Sequence, residues 1–177
     1  NASPIGDMTA LLLALETDLV FRGSGPGATR RVVAMKSFYL GYKRMDMLPG
    51  EVLVELNFPI PADGTQIHFE KVSKRTCLDI ATVNSAARVA SRNGVIDDIQ
   101  LTLGGVAPVP LFLRRTCDFL NGKPLDLETV MAGIAVSQGE ISPISDVRGS
   151  AEYKRLLARQ LVIAHFTRLF PTEFSVR

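Results

Sequence analysis

The chain has 177 residues, of which 46% are apolar and 21% charged, enough for one ordinary soluble domain or for one domain and part of another. Its 20 basic and 18 acidic residues leave a net charge of +2, which argues against a dedicated nucleic-acid-binding surface. The apolar runs, such as those at residues 10–15 and 161–164, are far too short to cross a bilayer, and no signal-peptide pattern is present. We therefore expect no membrane contact and a cytoplasmic location.

The opening seven residues, Asn-Ala-Ser-Pro-Ile-Gly-Asp, form a tight loop that leads into a predicted helix at residues 8–16. One interpretation is an N-cap turn in which Asp7 caps the apolar run that follows. The small side chains and backbone N–H groups of such a loop would also suit close approach to a phosphate or a ribose. The residues alone leave both interpretations open.

Two β-rich runs, at residues 18–22 and 30–34, flank a glycine-rich tip and predict a hairpin. The three glycines of the tip do not make a dinucleotide-binding fingerprint, because a strand follows them where that motif requires a helix. A further strand is predicted at residues 52–58. Pro59 and Pro61 then interrupt any sheet pairing, so we place a domain boundary at about residue 61 and expect domains at 1–61 and 62–177.

The second domain is predicted to begin with an antiparallel meander and to end with helices. Asn93-Gly94 is a hairpin turn signal, and Pro108 and Pro110 close the sheet. Asp126 and Ser150 are suited to cap the second and third helices. The predicted strands are residues 66–74, 80–91 and 95–104, and the predicted helices are residues 111–120, 126–138 and 151–170. The fold class is α+β: a partial first domain followed by an antiparallel three-stranded sheet covered by helices.

The apolar stripe of the last helix is predicted to comprise Tyr153, Leu156, Leu157, Leu161 and Ala164. This stripe should face the sheet. Pro171 ends the helix.

Residue types that carry catalysis or bind metals are sparse. Cys77 and Cys117 form no Cys-x-x-Cys motif, so we predict reduced thiols, with one disulfide as the alternative, and no iron–sulfur centre in this chain. His68 and His165 have no further ligand at metal-binding spacing, which favours structural roles and no metal site. No nucleophile elbow, Walker loop or His-Glu-x-x-His motif is present, so we predict no catalytic residue.

The stretch from Lys71 to Ala81 is basic at its start and, taken alone, is typical of a charged edge strand that enters a loop. However, Phe69-Glu70-Lys71 with Arg75 and Asp79-Ile80-Ala81 is similar to the motif that begins the C-terminal domain in the FAD-binding subunits of molybdenum hydroxylases. The opening Asn-Ala-Ser-Pro-Ile-Gly-Asp resembles the second flavin-contacting loop of the same family, which includes xanthine dehydrogenase. Further segments that resemble the family lie at residues 50–53, 104–108, 122–125 and 150–157, so the resemblance covers essentially the whole chain.

The resemblance implies that residues 1–61 are the C-terminal part of the FAD-binding domain and that residues 62–177 are the CO dehydrogenase flavoprotein C-terminal domain. It implies five FAD-binding residues. Asn1 and Ser3 would lie along the diphosphate, Asp7 would accept a hydrogen bond from a cofactor hydroxyl, Leu53 would pack near the adenine or the flavin, and Lys71 would approach the flavin.

Arg75 and Asp79 would line the flavin mouth, where a nicotinamide acceptor could dock. Cys77-Leu78 departs from the acidic residue often found there in the eukaryotic xanthine enzymes. The resemblance therefore does not imply that this chain selects between NAD and oxygen as the eukaryotic enzymes do.

The function implied is that of the electron-transfer part of a xanthine-dehydrogenase-type molybdenum hydroxylase, an oxidoreductase of purine catabolism. A molybdopterin-binding subunit would hydroxylate a purine or related heterocycle, and electrons would pass through 2Fe–2S clusters on other subunits or domains to FAD and then to NAD. We expect the 177-residue chain alone to be inactive and unable to retain FAD. The alternative is a non-catalytic module that only connects partner subunits.

Overall fold

Two antiparallel β-sheets and a small hairpin organise the computed structural model, which describes residues 1–25, 27–75 and 79–174. The strands are β1 (Asp18–Arg22), β2 (Arg30–Ala34), β3 (Tyr39–Gly41), β4 (Arg44–Met45), β5 (Val52–Asn57), β6 (Gln66–Ser73), β7 (Ala81–Arg92), β8 (Val95–Gly104) and β9 (Leu111–Phe112). The helices are α1 (Asp7–Ala14), α2 (Met35–Phe38), α3 (Arg114–Leu120), α4 (Leu127–Gln138) and α5 (Ala151–Leu169). The first sheet has the order β2-β1-β5, the second has the order β6-β7-β8-β9, and β3 pairs with β4.

The predicted α+β class is confirmed, with three long strands in the second sheet and one short strand that the sequence analysis missed. We predicted a helix over residues 111–120, but Leu111 and Phe112 pair with β8 as β9, and the helix begins only at Arg114. Pro110 cannot donate a backbone hydrogen bond, so the chain is still extended when it reaches the edge of β8. Pairing with β8 therefore makes Leu111 and Phe112 a strand, although the periodicity of the sequence favours a helix there.

The hairpin turn and the two helix caps predicted for the second domain are present in the structure. Asn93 and Gly94 have φ angles of 52° and 73°, the left-handed pair that a two-residue hairpin requires, and β7 and β8 pair on either side of them. The Asp126 carboxylate accepts from the backbone N–H of Thr129, and the Ser150 hydroxyl accepts from that of Tyr153. The helix α3 has a cap that sequence spacing could not reveal, because the carboxylate of Glu140 accepts from its first-turn N–H groups.

The second sheet is covered on both faces, and alternate residues of its central strand β7 face different layers. Val83, Ala87 and Val89 belong to the main core with α3, α4 and α5. On the opposite face, Ala86 packs against Ala10 and Ala14 of α1. The opening segment of the chain therefore lies directly on the second sheet, with Leu11 and Phe69 packed beside the contact between these small side chains.

The predicted stripe on α5 was partly wrong. Tyr153 and Leu156 are 43% and 50% exposed, whereas Lys154 and His165 are buried together with Leu157. The buried face is rotated relative to the prediction because two polar residues occupy it. The remaining buried residues of α5 are Ala158, Leu161, Val162 and Phe166.

Both histidines have the structural surroundings that the sequence analysis predicted. The Nδ1 atoms of His68 and His165 are 2.8 Å apart, and Nε2 of His165 lies 2.8 Å from Oγ of Ser85. Because the Ser85 hydroxyl donates to the carbonyl of Thr102 at 2.7 Å, it must accept from His165, whose Nδ1 then accepts from His68. Burial and the neighbouring His68 lower the pKa of His165 from 6.5 to about 3.

Other expectations concern thiols, metals and membranes. Cys117 is a buried free thiol, and Cys77 lies outside the described residues. Burial raises the pKa of Cys117 to about 12. Across residues 1–25, 27–75 and 79–174 there is no group of three or more side chains that could bind a metal ion. Within the same ranges, every helix is too short or too polar to cross a membrane.

Because His165 is neutral in the folded chain, we predict that the protein loses stability in mild acid. Its pKa is lower in the folded chain than in the unfolded chain, so the unfolded state takes up the extra proton as the pH falls below about 6.5. From pH 7.5 to pH 5.5, the free energy of unfolding should fall by about 1.4 kcal/mol. Urea denaturation at the two pH values measures this difference, and the matched His165→Gln variant should lose most of it. A ¹³C resonance of the His165 ring that titrates near pH 6.5 would contradict the prediction.

Candidate functional site

The opening loop forms the floor of a cleft of about 830 Å³. The turn between β3 and β4, the segments that follow β8 and α4, and the start of α5 provide the rest of its lining. The cleft is lined by Asn1, Ala2, Ser3, Pro4, Ile5, Tyr42, Lys43, Gly105, Ala107, Pro108, Ser142, Ile144, Asp146, Arg148 and Lys154.

Local hydrogen bonds set the shape of the opening loop. The side chain of Asn1 accepts from the backbone N–H of Ser3 at 2.9 Å, and the Ser3 hydroxyl accepts from the N–H of Ile5 at 3.3 Å. These are the side-chain turns that asparagine and serine favour in loops. The carbonyl of Pro4 accepts from the N–H of Gly105 at 2.9 Å, which connects the loop to the end of β8.

The pair Gly104-Gly105 allows the loop to approach the sheet this closely. Gly105 has a φ of +84°, and a Cβ at this position would lie 2.5 Å from the carbonyl oxygen of Thr82. A Cβ on Gly104 would meet the side chain of Asn84 and lie 3.3 Å from the Cα of Ile5. A larger residue at Gly104 would press on the opening loop at Ile5. One at Gly105 would press on the backbone of β7 at Thr82 and so displace the N–H group to which the Pro4 carbonyl is bonded.

A polar cluster next to the cleft connects α1 to the second sheet. The Lys71 ammonium lies 2.8 Å from the Asp7 carboxylate and donates to the carbonyl of Asp79 at 3.1 Å. The buried amide of Asn84 donates to Asp7 at 2.7 Å and to the carbonyl of Ile5 at 3.0 Å. Both charged side chains of the pair are about one-third exposed, so they remain accessible to a ligand.

Asp7 does not cap α1, contrary to one of the two interpretations of the sequence. The N-cap residue is Gly6, which has no side chain to accept a hydrogen bond, and Asp7 is the first helical residue. Its carboxylate instead joins Lys71 and Asn84. Helix α1 therefore begins with first-turn N–H groups that receive no side-chain cap.

The structure brings four of the five predicted FAD-binding residues to one region. Asn1 and Ser3 line the cleft, and Asp7 and Lys71 lie next to it, on the other side of Ile5. Leu53 lies elsewhere, on the edge strand β5, where it pairs with Phe21 and is 43% exposed. It does not line the cleft.

Arg75 and Asp79 form an ion pair at 3.2 Å where the chain leaves β6. The Asp79 carboxylate also accepts from the backbone N–H of Arg75 and of Ile80. The hydrogen bond from the Arg75 side chain is the main cause that lowers the pKa of Asp79, against some desolvation. Neither residue lines the cleft, and the intervening residues 76–78 lie outside the described part of the chain.

Sequence reasoning missed three polar residues at this site: Asn84, Arg148 and Lys154. Asn84 is a fully buried amide in β7 between Val83 and Ser85, and a polar residue within such a run of small and apolar neighbours is a signal that could have been noticed. Lys154 is only 2% exposed and binds Asp146 at 2.8 Å. Its place on a buried face of α5 was hidden by the assumption that the face is apolar.

Two family models match the chain. The model described as the FAD binding domain in molybdopterin dehydrogenase matches residues 1–61, and the CO dehydrogenase flavoprotein C-terminal domain matches residues 68–169. The carbon monoxide dehydrogenase medium chain of Hydrogenophaga pseudoflava is 32% identical over 162 residues, which are 92% of this chain and 55% of that protein. The chain thus spans about half the length of that medium chain.

Xanthine dehydrogenase 1 of Arabidopsis thaliana is 29% identical over 94% of this chain and 12% of its own length. Among solved structures, the carbon monoxide dehydrogenase of Hydrogenophaga pseudoflava that lacks the Mo-pyranopterin moiety of its molybdenum cofactor superposes with a TM-score of 0.84. That match has 33% sequence identity and covers 91% of this chain and 55% of the matched one. The sequence matches and the structural match therefore all cover nearly the whole chain.

The close approach of the opening loop can be tested by comparing two glycines of positive φ. Gly105→Ala should destabilise the protein by roughly 2–4 kcal/mol, since it combines backbone strain with a clash against the Thr82 carbonyl. Gly94→Ala carries only the backbone strain, because nothing lies within 4 Å of its Cβ position, and should lose roughly 1–2 kcal/mol. Urea denaturation of both variants measures the difference. Equal losses would show that the carbonyl of Thr82 does not exclude a side chain at position 105.

Proposed function

The chain belongs to the flavoprotein family of the molybdopterin dehydrogenases, and from this premise we propose that it is the FAD-carrying, electron-transfer part of a xanthine-dehydrogenase-type molybdenum hydroxylase. One observation supports the proposal most directly. Asn1 and Ser3 of the opening loop line a cleft, and the Asp7–Lys71 ion pair lies beside it. The family models meet between residues 61 and 68. We keep the proposed domain boundary at about residue 61, where one model ends and where Pro59 and Pro61 interrupt sheet pairing.

The residues beside the cleft fit a dinucleotide cofactor in size and in chemistry. A volume of about 830 Å³ lies within the range of roughly 300–1,000 Å³ that is usual for small-molecule and cofactor sites. The uncapped first turn of α1 offers backbone N–H donors to an anionic or carbonyl oxygen. Lys71 and Asp7 supply one cation and one acceptor, both partly exposed.

Each site residue has a role in this proposal. Asn1 and Ser3 position the diphosphate of the cofactor, and Asp7 accepts a hydrogen bond from one of its hydroxyl groups. Lys71 approaches the flavin ring, where its positive charge stabilises the electron-rich reduced form. FAD, when bound, supplies the chemistry of accepting and releasing electrons. Leu53 would contact the adenine or the flavin from the exposed strand β5, which requires the cofactor to extend beyond the cleft.

The whole enzyme would consist of several subunits or domains, as the medium-chain names of relatives indicate. A molybdopterin-binding partner would oxidise a purine or related heterocycle, and 2Fe–2S clusters would pass the electrons to this chain. NAD is the proposed acceptor. The 177-residue chain alone would then be inactive, since the substrate-oxidising centre lies on another subunit.

A second candidate is a non-catalytic module that connects partner subunits, and strand β5 favours it. All six residues of β5 are exposed, and four of them are the apolar residues Val52, Leu53, Val54 and Leu56. Phe58 and Ile60 extend this surface with exposures of 47% and 92%. An apolar surface of this kind marks a contact with another protein segment or subunit.

The visible spectrum of the protein expressed from its full reading frame tests the two candidates. We expect a flavin spectrum and FAD as the released cofactor, identified by mass, at about one per chain. A folded, full-length product without flavin would refute the electron-transfer function and leave the interaction module. The acceptor is tested on the same preparation after anaerobic reduction: NAD should reoxidise the flavin rapidly, and a quinone that does so much faster would overturn the choice of NAD.

The role of Lys71 is tested with the flavin-loaded protein. Lys71→Met removes a cation from the reduced flavin and should lower its midpoint potential by an amount on the order of 30 mV, about 1.4 kcal/mol for a two-electron couple. The fold should survive, because a partly exposed ion pair contributes roughly 1 kcal/mol or less. Spectroelectrochemical titration measures the potential, with Lys123→Met as the matched control. Equal potentials in the two variants would remove Lys71 from the flavin site.

A further inference from the structure

Arg148 supplies a cationic side chain to the cleft, and the Asp146 carboxylate is near enough for their charges to interact. It lines the cleft together with Lys43 of the turn between β3 and β4. Within residues 1–25, 27–75 and 79–174, its guanidinium makes no hydrogen bond or ion pair, although the carboxylate of Asp146 is close by in the sequence. An arginine presents five N–H donors in a planar fork, a geometry that suits phosphate oxygens.

The backbone of Arg148 is fixed by a tight turn. The N–H of Asp146 donates to the carbonyl of Gly149, and the N–H of Gly149 donates to that of Asp146, both at 3.1 Å. One carboxylate oxygen of Asp146 accepts from the N–H of Arg148 at 2.8 Å. The hydroxyl of Thr82 on β7 lies 3.4 Å from the carbonyl of Arg148, which places the turn against the sheet.

The other carboxylate oxygen of Asp146 is occupied by Lys154. The ammonium of this buried residue lies 2.8 Å from Asp146 and donates to the carbonyl of Ile144 at 3.0 Å. Burial opposes the ionisation of Asp146, but the hydrogen bonds from Lys154 and Arg148 and their charges outweigh it and lower its pKa. Asp146 is therefore an anion whose two oxygens are both engaged, and the guanidinium of Arg148 is left to an external partner.

The cleft consequently has an excess of positive charge. Its one carboxylate, Asp146, is paired with Lys154, whereas Lys43 and Arg148 add two further cations. The floor between them carries Asn1 and Ser3, the residues assigned above to a diphosphate. An anion that reaches this floor would meet Arg148 from the side of the second domain.

We propose that Arg148 binds the diphosphate of a dinucleotide seated in this cleft. The inference rests on the proposed function, and it adds a binding residue from the C-terminal domain to a site otherwise assigned to the opening loop. Both FAD and a pyridine-nucleotide acceptor contain such a diphosphate. FAD is favoured as the source, because the diphosphate residues Asn1 and Ser3 line the same cleft.

The test compares Arg148→Gln with the wild type in the full-length protein and its complex. After removal of FAD, the dissociation constant for added FAD is measured by flavin fluorescence at two salt concentrations. The loss of a charge-assisted hydrogen bond should weaken FAD binding roughly ten- to hundredfold, and the affinity of the variant should depend less on salt. Arg148→Lys, which keeps the charge but not the fork, should recover part of the affinity.

The matched control is Arg159→Gln, which removes an exposed arginine of α5 away from the cleft and should leave FAD binding unchanged. The thermal midpoint of the FAD-free Arg148→Gln protein should equal that of the wild type, which separates lost binding from lost folding. Inorganic pyrophosphate should compete with FAD in the wild type and much less in the variant.

A second arm measures the KM for NAD in the FAD-loaded enzyme. Normal FAD affinity with a KM that rises tenfold or more would support the anion subsite and assign it to the acceptor. Unchanged values in both arms would overturn the role of Arg148. A wild-type protein that binds no FAD at all would instead refute the proposed function, so the two failures are distinguishable.

Discussion

The position of the opening loop depends on the buried amide of Asn84 in β7, which donates to the Asp7 carboxylate at 2.7 Å and to the loop carbonyl of Ile5 at 3.0 Å. These two hydrogen bonds join the loop and the first helical residue to the second sheet, and the Lys71 ammonium adds a partly exposed contact to Asp7 at 2.8 Å. Hydrogen bonds are directional, so this contact determines the orientation of the loop as well as its proximity. The cleft, its floor and the start of α1 all follow from that orientation.

The rest of the interface between the opening segment and the second sheet repeats this polar character. The buried Arg88 binds Glu16 at 2.5 Å and Asp98 at 2.7 Å, and Lys36 binds Glu16 and Gln100. Apolar packing on this face is limited to a small cluster around Ala86, with Leu11 and Phe69 at its edge. The opposite face of the sheet is apolar and packs on α3, α4 and α5. The sheet thus uses its apolar face for a core and its more polar face to place the opening loop.

Helix α5 connects the core to the cleft through two buried polar side chains. Near its start, Lys154 binds Asp146 in the turn that presents Arg148, and near its end His165 binds Ser85 in the central strand. Each of these groups is buried and has partners, as buried polar groups require. The helix therefore fixes one wall of the cleft relative to the strand that carries Asn84.

The sequence by itself determined the elements whose signals are local: the Asn93-Gly94 turn, the caps at Asp126 and Ser150, and the strands at residues 18–22 and 30–34. It also identified the family, because several motifs occur in the right order. Tertiary structure alone decided the pairing of β9, the buried face of α5 and the meeting of Arg148 with the opening loop at one cleft. Each of these depends on residues distant in the chain: β8 supplies the partner of β9, Ser85 and Asp146 compensate the buried His165 and Lys154, and Asn1 lines the same cleft as Arg148. Periodicity and spacing describe only neighbours along the sequence, so they contain no record of such compensation.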